Sequence, residues 1–289
     1  MTTGRREFEV RVGGAPIHVE THVVGDDERI GAAGSSRHVL MLHGNPDCAL
    51  LWHPMIDHLR DAIRDTGETL VCVTPDLPGF ARSGMPADHD ASLPAMARWV
   101  DALLDALGID GAIDLVGHDF GGVYAAAWAV EHPERVRSIA LLDTFFHTDH
   151  RWHFWARVWR TPVLGELSMA LFRWPLFRWE MRRGSPRLDD AHLRTLWRFV
   201  TPSAKRAVLR LYRACDPEVF VGWEERLRRL VRERPSLVIW GADDPYLPAA
   251  RADSFDAQQV VVLDECGHWP PVEEPRRVAA ELARLLAAS

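Results

Sequence analysis

Three residues in this chain have the types and settings for nucleophilic catalysis: Asp119, Asp244 and His268. Asp119 lies in Leu115-Val116-Gly117-His118-Asp119-Phe120-Gly121-Gly122, with an apolar run at 113–116 before it and an apolar, Ala-rich segment at 123–130 after it. Glycines two residues to either side let the backbone pass a crowded corner, so the pattern predicts a strand, a very tight turn and a helix, with the Asp119 side chain pushed out at the strand's end. A carboxylate beside helix N-terminal N–H groups stays ionised. It is a poor acyl-transfer nucleophile, but it can displace a leaving group from saturated carbon. Asp244 follows the apolar run 237–240 in Gly241-Ala242-Asp243-Asp244-Pro245, and His268 follows the run 260–263 in Gly267-His268-Trp269-Pro270-Pro271. In chain order these are a nucleophile, an orienting acid and a general base, with Asp243 a competitor for the acid.

The flanking elements must bring the three together. Residues 8–12 and 17–24 suggest an antiparallel hairpin around Gly13-Gly14, and 25–36 reads as a loop. Short apolar runs at 38–42, 70–74, 113–116, 138–142, 237–240 and 260–263 alternate with helical spacing at 52–63, 93–107, 123–130 and 278–286. Such alternation predicts an α/β fold with a mostly parallel central sheet flanked by helices on both faces. With parallel strands, all three candidate residues project at one sheet edge. From about Phe146 to Tyr212 no strand-like run occurs; six of the 12 tryptophans lie there, and Pro162, Pro175, Pro186 and Pro202 break the helical periodicity. An inserted helical cap is expected at 146–222, between core segments 1–145 and 223–289.

A chain of 289 residues, 47% of them hydrophobic, can bury a large core. The net charge of −7 and the scattered arginines give no support to nucleic-acid binding. Cys48, Cys72, Cys215 and Cys266 form no CxxC pair and no metal-ligand spacing, which suits a reducing compartment. The polar start of the chain and the lack of a long apolar run suggest a cytoplasmic protein without membrane partners. No cofactor or metal is expected, and monomer or homodimer stays open.

Over nearly its whole length the chain resembles the α/β-hydrolase superfamily. The matching pieces are His43-Gly44-Asn45-Pro46, Asp76-Leu77-Pro78-Gly79-Phe80 with Ser83-Gly84, the turn at Asp119, Gly241 with Asp244, and Gly267-His268. An Asp in that turn resembles the branch of epoxide hydrolases and haloalkane dehalogenases. The resemblance implies attack by Asp119 on an epoxide or alkyl halide, an alkyl-enzyme ester, and hydrolysis by water activated by His268 under the control of Asp244. It also implies an oxyanion hole from the backbone N–H groups of Phe120 and Asn45, and as partners only water and a small apolar organic substrate.

Leaving-group chemistry separates the two substrate classes. An epoxide oxygen needs a proton donor, and Leu211-Tyr212-Arg213 resembles the Tyr-Arg pair of epoxide hydrolases; Trp152, His153, Trp174 or Trp179 would replace their second tyrosine. A halide needs indole or amide N–H donors, for which Asn45 and the cap tryptophans qualify. Dehalogenases usually carry Trp immediately after the nucleophile, where Phe120 has no N–H to give. Phe120 also stands where haloacid dehalogenases carry Arg. The expectation is therefore an epoxide hydrolase acting on apolar or aromatic epoxides, with haloalkane dehalogenase as the alternative and a non-catalytic ligand-binding protein or an esterase behind them. Plainer readings make Asp119 a helix N-cap, His118 and His43 packed residues, most cap tryptophans core, and His147, His150 and His153 a metal cluster in spacing only.

Overall fold

The computed structural model describes residues 4–25, 37–64 and 66–289. All of the loop expected at 25–36 except Gly25 lies outside them. The elements are β1 (Arg5–Val12), β2 (Ala15–Val24), β3 (Arg37–Leu42), α1 (His53–Ala62), β4 (Leu70–Pro75), α2 (Leu93–Ala106), β5 (Ile113–His118), α3 (Phe120–Glu131) and β6 (Val136–Leu142). Five helices follow without a strand: α4 (Phe154–Arg160), α5 (Leu164–Leu171), α6 (Trp174–Gly184), α7 (Asp190–Trp197) and α8 (Pro202–Ala214). The chain closes with α9 (Trp223–Glu233), β7 (Ser236–Gly241), β8 (Gln259–Leu263), α10 (Pro270–Glu273) and α11 (Pro275–Ala287).

The strands form one sheet in the order β1-β2-β4-β3-β5-β6-β7-β8. β1 and β2 pair antiparallel, as do β2 and β4, and every other neighbouring pair is parallel. The C-terminal ends of β3, β5, β6, β7 and β8 therefore meet at one edge, and the loops that leave them carry the candidate residues. β5 is buried along its whole length, as a strand covered on both faces must be, with Ile113, Leu115 and Val116 in the two clusters that pack on it. β1 begins three residues before the apolar pattern at Phe8, because an edge strand can pair through its backbone while its side chains stay in solvent.

Two clusters cover the sheet. On one face Trp99, Val100 and Leu103 of α2 meet Tyr124 and Trp128 of α3; on the other Met55 and Leu59 of α1 share a cluster with Leu282 and Leu286 of α11. Each fully buried side chain of this size contributes roughly 1.5–3 kcal/mol. The one carboxylate within β5, Asp114, is held by Arg37 Nε at 2.7 Å and Ser138 Oγ at 2.6 Å, away from the edge that carries the candidate residues. Local signals set the helix ends: Ser92 Oγ accepts the Ala95 N–H to start α2, and Gly108, at φ +67°, turns the chain away after it.

Candidate active site

The turn between β5 and α3 holds Asp119 at φ +48° and ψ −124°, a left-handed conformation that is costly for any residue but Gly. Close packing enforces it. A Cβ on Gly121 would sit 1.9 Å from the Leu42 carbonyl oxygen, and one on Gly44 would sit 2.4 Å from Asp119 Cβ. The Asp119 carbonyl accepts from Thr144 Oγ1 at 2.6 Å, and its own N–H donates to Leu142 O. The strained residue is thus fixed from β6 as well as β5.

The Asp119 carboxylate is 5% exposed and accepts the backbone N–H of Asn45 at 2.8 Å and that of Phe120. Burial raises its pKa to about 6, against the pull of His268 and the two N–H groups. The loop carrying Asn45 has a cis Asn45–Pro46 bond and is braced by His43, whose Nδ1 donates to Gly44 O while Nε2 accepts the Leu77 N–H. Burial depresses the pKa of that imidazole to about 4, so it is a neutral structural group. His118 is equally buried, and its Nε2 donates to the His268 carbonyl at 2.7 Å.

His268 and Asp244 arrive from the far side of the sheet. His268 Nδ1 donates to Asp244 Oδ2 at 2.7 Å, and Asp244 Oδ1 accepts the N–H groups of Tyr246 and Leu247. Burial works against an imidazolium here, but Asp244, Asp119 and Asp47 outweigh it and the His268 pKa is raised. Asp243 is exposed and makes no such bond. The arrangement is therefore a desolvated carboxylate cradled by two backbone N–H groups, beside an imidazole whose tautomer is set by a second carboxylate. It suits attack on an electrophile followed by hydrolysis of the resulting ester.

Comparison with known proteins agrees with this architecture. A sequence model of the alpha/beta hydrolase fold matches residues 37–275. The chain belongs to this family. Haloalkane dehalogenase 2 of Mycobacterium tuberculosis (strain ATCC 25618 / H37Rv) is 28% identical over 267 residues, covering 86% of this chain and 87% of its own. The 2-hydroxymuconate semialdehyde hydrolase of Pseudomonas putida is 30% identical over 233 residues, covering 77% and 79%. Among solved structures, haloalkane dehalogenase DbeA from Bradyrhizobium elkani USDA94 superposes with a TM-score of 0.78 at 23% identity over 99% of this chain and 100% of its own. The epoxide hydrolase CorEH superposes at 0.76 and 19% identity, over 98% and 99%.

In this α/β hydrolase a cavity opens over Asp119 and His268, lined mainly by apolar groups, among them Phe80, Phe145, Trp159, Met169, Phe172, Phe177 and Leu247. Of the residues expected to meet the leaving group, Tyr212, Trp152 and His153 line it. The Tyr212 ring packs edge-on against Phe120 at 4.8 Å, and its hydroxyl lies 3.4 Å from His153 Nε2. His153 Nδ1 accepts the Ala156 N–H, so its proton belongs on Nε2, toward Tyr212. Burial, with the nearby positive groups, depresses the His153 pKa to about 3 and keeps the ring neutral. The Trp152 indole N–H is buried without a partner, as is Asn45 Oδ1.

Trp174 and Trp179 correct the sequence expectation. α6 turns Phe177, Glu180 and Met181 toward the cavity; Trp174 precedes Phe177 by a turn on the same side of the helix and stops outside the lining, and Trp179 faces the other way. Trp174 packs on Phe177 and Trp197 beneath Arg194, and Trp179 is 56% exposed. Arg213, the partner of Tyr212 in the motif, turns away to Glu166 and the Trp159 carbonyl.

Buried carboxyls at the site, among them Asp47 and Asp143, escaped the sequence reading. Asp47 lines the cavity, accepts Trp269 Nε1 at 2.6 Å, and is pushed up to about 7 by burial. Asp143, at the end of β6, accepts the Gly241 N–H and is raised by burial and then by the charge of Asp244. Asp47 follows Pro46 directly and Asp143 follows a buried strand, so both stood in legible places.

The three histidines spaced by three do not converge: His147 faces Glu224 and Ser254, His150 stacks on Phe145, and His153 meets Tyr212. Among the described residues, His, Asp and Glu donors do come together at Glu20, with His22 and His53 or with Glu7 and His18, and in the site itself at Asp143, Asp244 and His268. Arg5 Nε and Arg82 Nη1, each 3.0 Å from the Glu20 carboxylate, already neutralise it.

Proposed function

We propose that the protein hydrolyses apolar or aromatic epoxides through an ester on Asp119, with residues 146–222 acting as the cap that closes the site. A carboxylate oxygen of Asp119 attacks an epoxide carbon, the carbon–oxygen bond breaks, and the leaving alkoxide takes the Tyr212 phenol proton. Water then attacks the Asp119 carbonyl carbon while His268 Nε2 accepts its proton, with Asp244 stabilising the imidazolium. The N–H groups of Asn45 and Phe120 hold the tetrahedral oxyanion; losing one such donor typically costs about 10²–10³-fold. Collapse releases the diol and restores the Asp119 carboxylate, and the proton on His268 returns through water to the Tyr212 phenolate.

The observation that carries this reading is the Tyr212 hydroxyl. His153, with its proton on Nε2, offers the phenol oxygen an N–H, and the Asn45 side chain meets the same hydroxyl; a phenol oxygen that accepts in this way can turn its own proton to a substrate in the cavity. The charge of Asp119 acts on the same hydroxyl and, after burial, helps to raise its pKa. The phenol therefore keeps its proton until an alkoxide demands it.

A haloalkane dehalogenase reading has its own support: the unpartnered Trp152 N–H and the Asn45 side chain border the same cavity, and curated relatives carry that name. Diol formation from styrene oxide and bromide release from 1-bromobutane, measured side by side, separate the two. The epoxide reading expects the first to dominate and to fall about 10²-fold in Tyr212→Phe. Dominant bromide release, lost in Trp152→Phe and indifferent to Tyr212→Phe, would replace it with the dehalogenase reading.

A further inference from the structure

Among the described residues ten large hydrophobic side chains are exposed, and eight of them lie within residues 146–222. The densest group falls in the hairpin of α4 and α5: Phe154, Val163, Leu164, Leu167 and Leu171, at 64, 78, 47, 55 and 66% exposure. Leu164, Leu167 and Leu171 are spaced i, i+3 and i+7, so they share the outer face of α5, while Gly165 and Met169 are buried on its inner face. A helix apolar on both faces needs a partner for each. The inner face has one, since Met169 lines the cavity.

Val163, at the head of α5, reinforces the point. It holds φ +69°, a region that a β-branched residue rarely enters, and it still projects its side chain into solvent. Gly or Asn at this turn would avoid both the strain and the exposed apolar tip.

Charge identifies the partner. Residues 146–222 hold 14 Lys and Arg against seven Asp and Glu, a formal +7 in a chain whose total is −7, which leaves −14 on the remainder. Arg151, Arg157 and Arg173 are exposed around the hairpin; Arg173 reaches only backbone carbonyls, and none of the three has a carboxylate partner among the described residues. We propose that the outer face of the α4–α5 hairpin docks on an anionic lipid surface, with its leucines in the interface and its arginines at the headgroups. A second copy of the chain fits less well, because a twofold contact would bring one basic face against another. Among the described residues no helix is long and apolar enough to cross a bilayer, so the contact is peripheral. It runs against the expectation of no membrane partner, which rested on the polar start of the chain and the lack of a spanning run.

Trp159 and Met169 of the same hairpin line the cavity. Docking thus sets the cavity wall on the lipid, from which an apolar substrate could enter; this last step rests on the proposed epoxide reaction, whereas docking does not. The test is co-sedimentation of the full chain, without substrate, with large unilamellar vesicles of phosphatidylcholine alone or mixed equally with phosphatidylglycerol. Expected is binding to the mixed vesicles at least about tenfold stronger than to phosphatidylcholine, weakened about tenfold by Leu167→Glu with Leu171→Glu and again by raised salt. Circular dichroism checks that the variant folds, and Val163→Ser, which alters one exposed side chain, should weaken binding in the same direction if the double variant does not fold. Absent binding at low salt, or binding unaffected by a folded variant, overturns the proposal. So does a dimer in light scattering that the double substitution separates while vesicles are ignored, which would assign the face to a second copy.

Discussion

The turn at Asp119 and the helical insertion above it are built on opposite terms. Around Asp119 nearly every atom is buried and backbone groups do the holding: N–H groups from Asn45 and Phe120, the Thr144 hydroxyl, and glycines that admit no Cβ. In the insertion the contacts are between side chains, many of them aromatic or Arg, and apolar groups reach solvent. Backbone geometry at a sheet edge fixes a reaction, whereas interchangeable side chains on short helices set which molecule meets it. Substitutions at the turn should thus strike every substrate alike, and substitutions in the insertion should discriminate.

The largest expected effect is Asp119→Asn, which removes the proposed nucleophile while keeping the size and shape of the side chain in the strained turn. Turnover of epoxide and bromoalkane should both fall by about 10⁴-fold or more, measured by diol and bromide release. His268→Gln should cost about 10²–10⁴-fold in steady state on either substrate, with the first turnover spared because the base acts only after the ester forms. Rapid-quench kinetics would reveal that burst. Tyr212→Phe, in the insertion, should cost about 10²-fold on epoxides and little on bromoalkanes; an equal loss on both would erase the proposed contrast.

A smaller effect concerns stability. Burial raises the Asp119 pKa from 3.8 to about 6, so between these values the folded protein binds the proton that the unfolded chain releases, and stability falls as pH rises through that window. Asp119→Asn abolishes the loss. Its unfolding free energy should exceed that of the parent at about pH 7.5 by an amount on the order of 1–3 kcal/mol, read out as a higher melting temperature, and the gain should vanish at about pH 4.

How far the sequence is legible follows the same division. The strands, the turn at Asp119 and the trio with Asp244 and His268 can be read because a parallel sheet converts apolar runs and glycine spacing into position. Asp143 and Asp47 stand beside the same motifs, but their burial depends on Asp244 and Trp269, which lie about a hundred and two hundred residues away. In the insertion, the tryptophan spacing marks helices without saying which face turns inward. Trp152 therefore lines the cavity, while Trp179, equally apt by type, stands in solvent. The outer leucines of α5 are hidden for a related reason, since apolar residues on both faces of a short helix read as core until its neighbours are known.

The central claim is that Asp119 forms the covalent ester, and isotope transfer tests it most directly. The enzyme is cycled through many turnovers of styrene oxide in heavy-oxygen water, and the peptide containing Asp119 is then weighed by mass spectrometry. Hydrolysis at the Asp119 carbonyl predicts heavy oxygen in its carboxylate after repeated turnovers. An unlabelled Asp119 alongside fully formed diol would mean that water attacks the substrate directly, and would contradict the account.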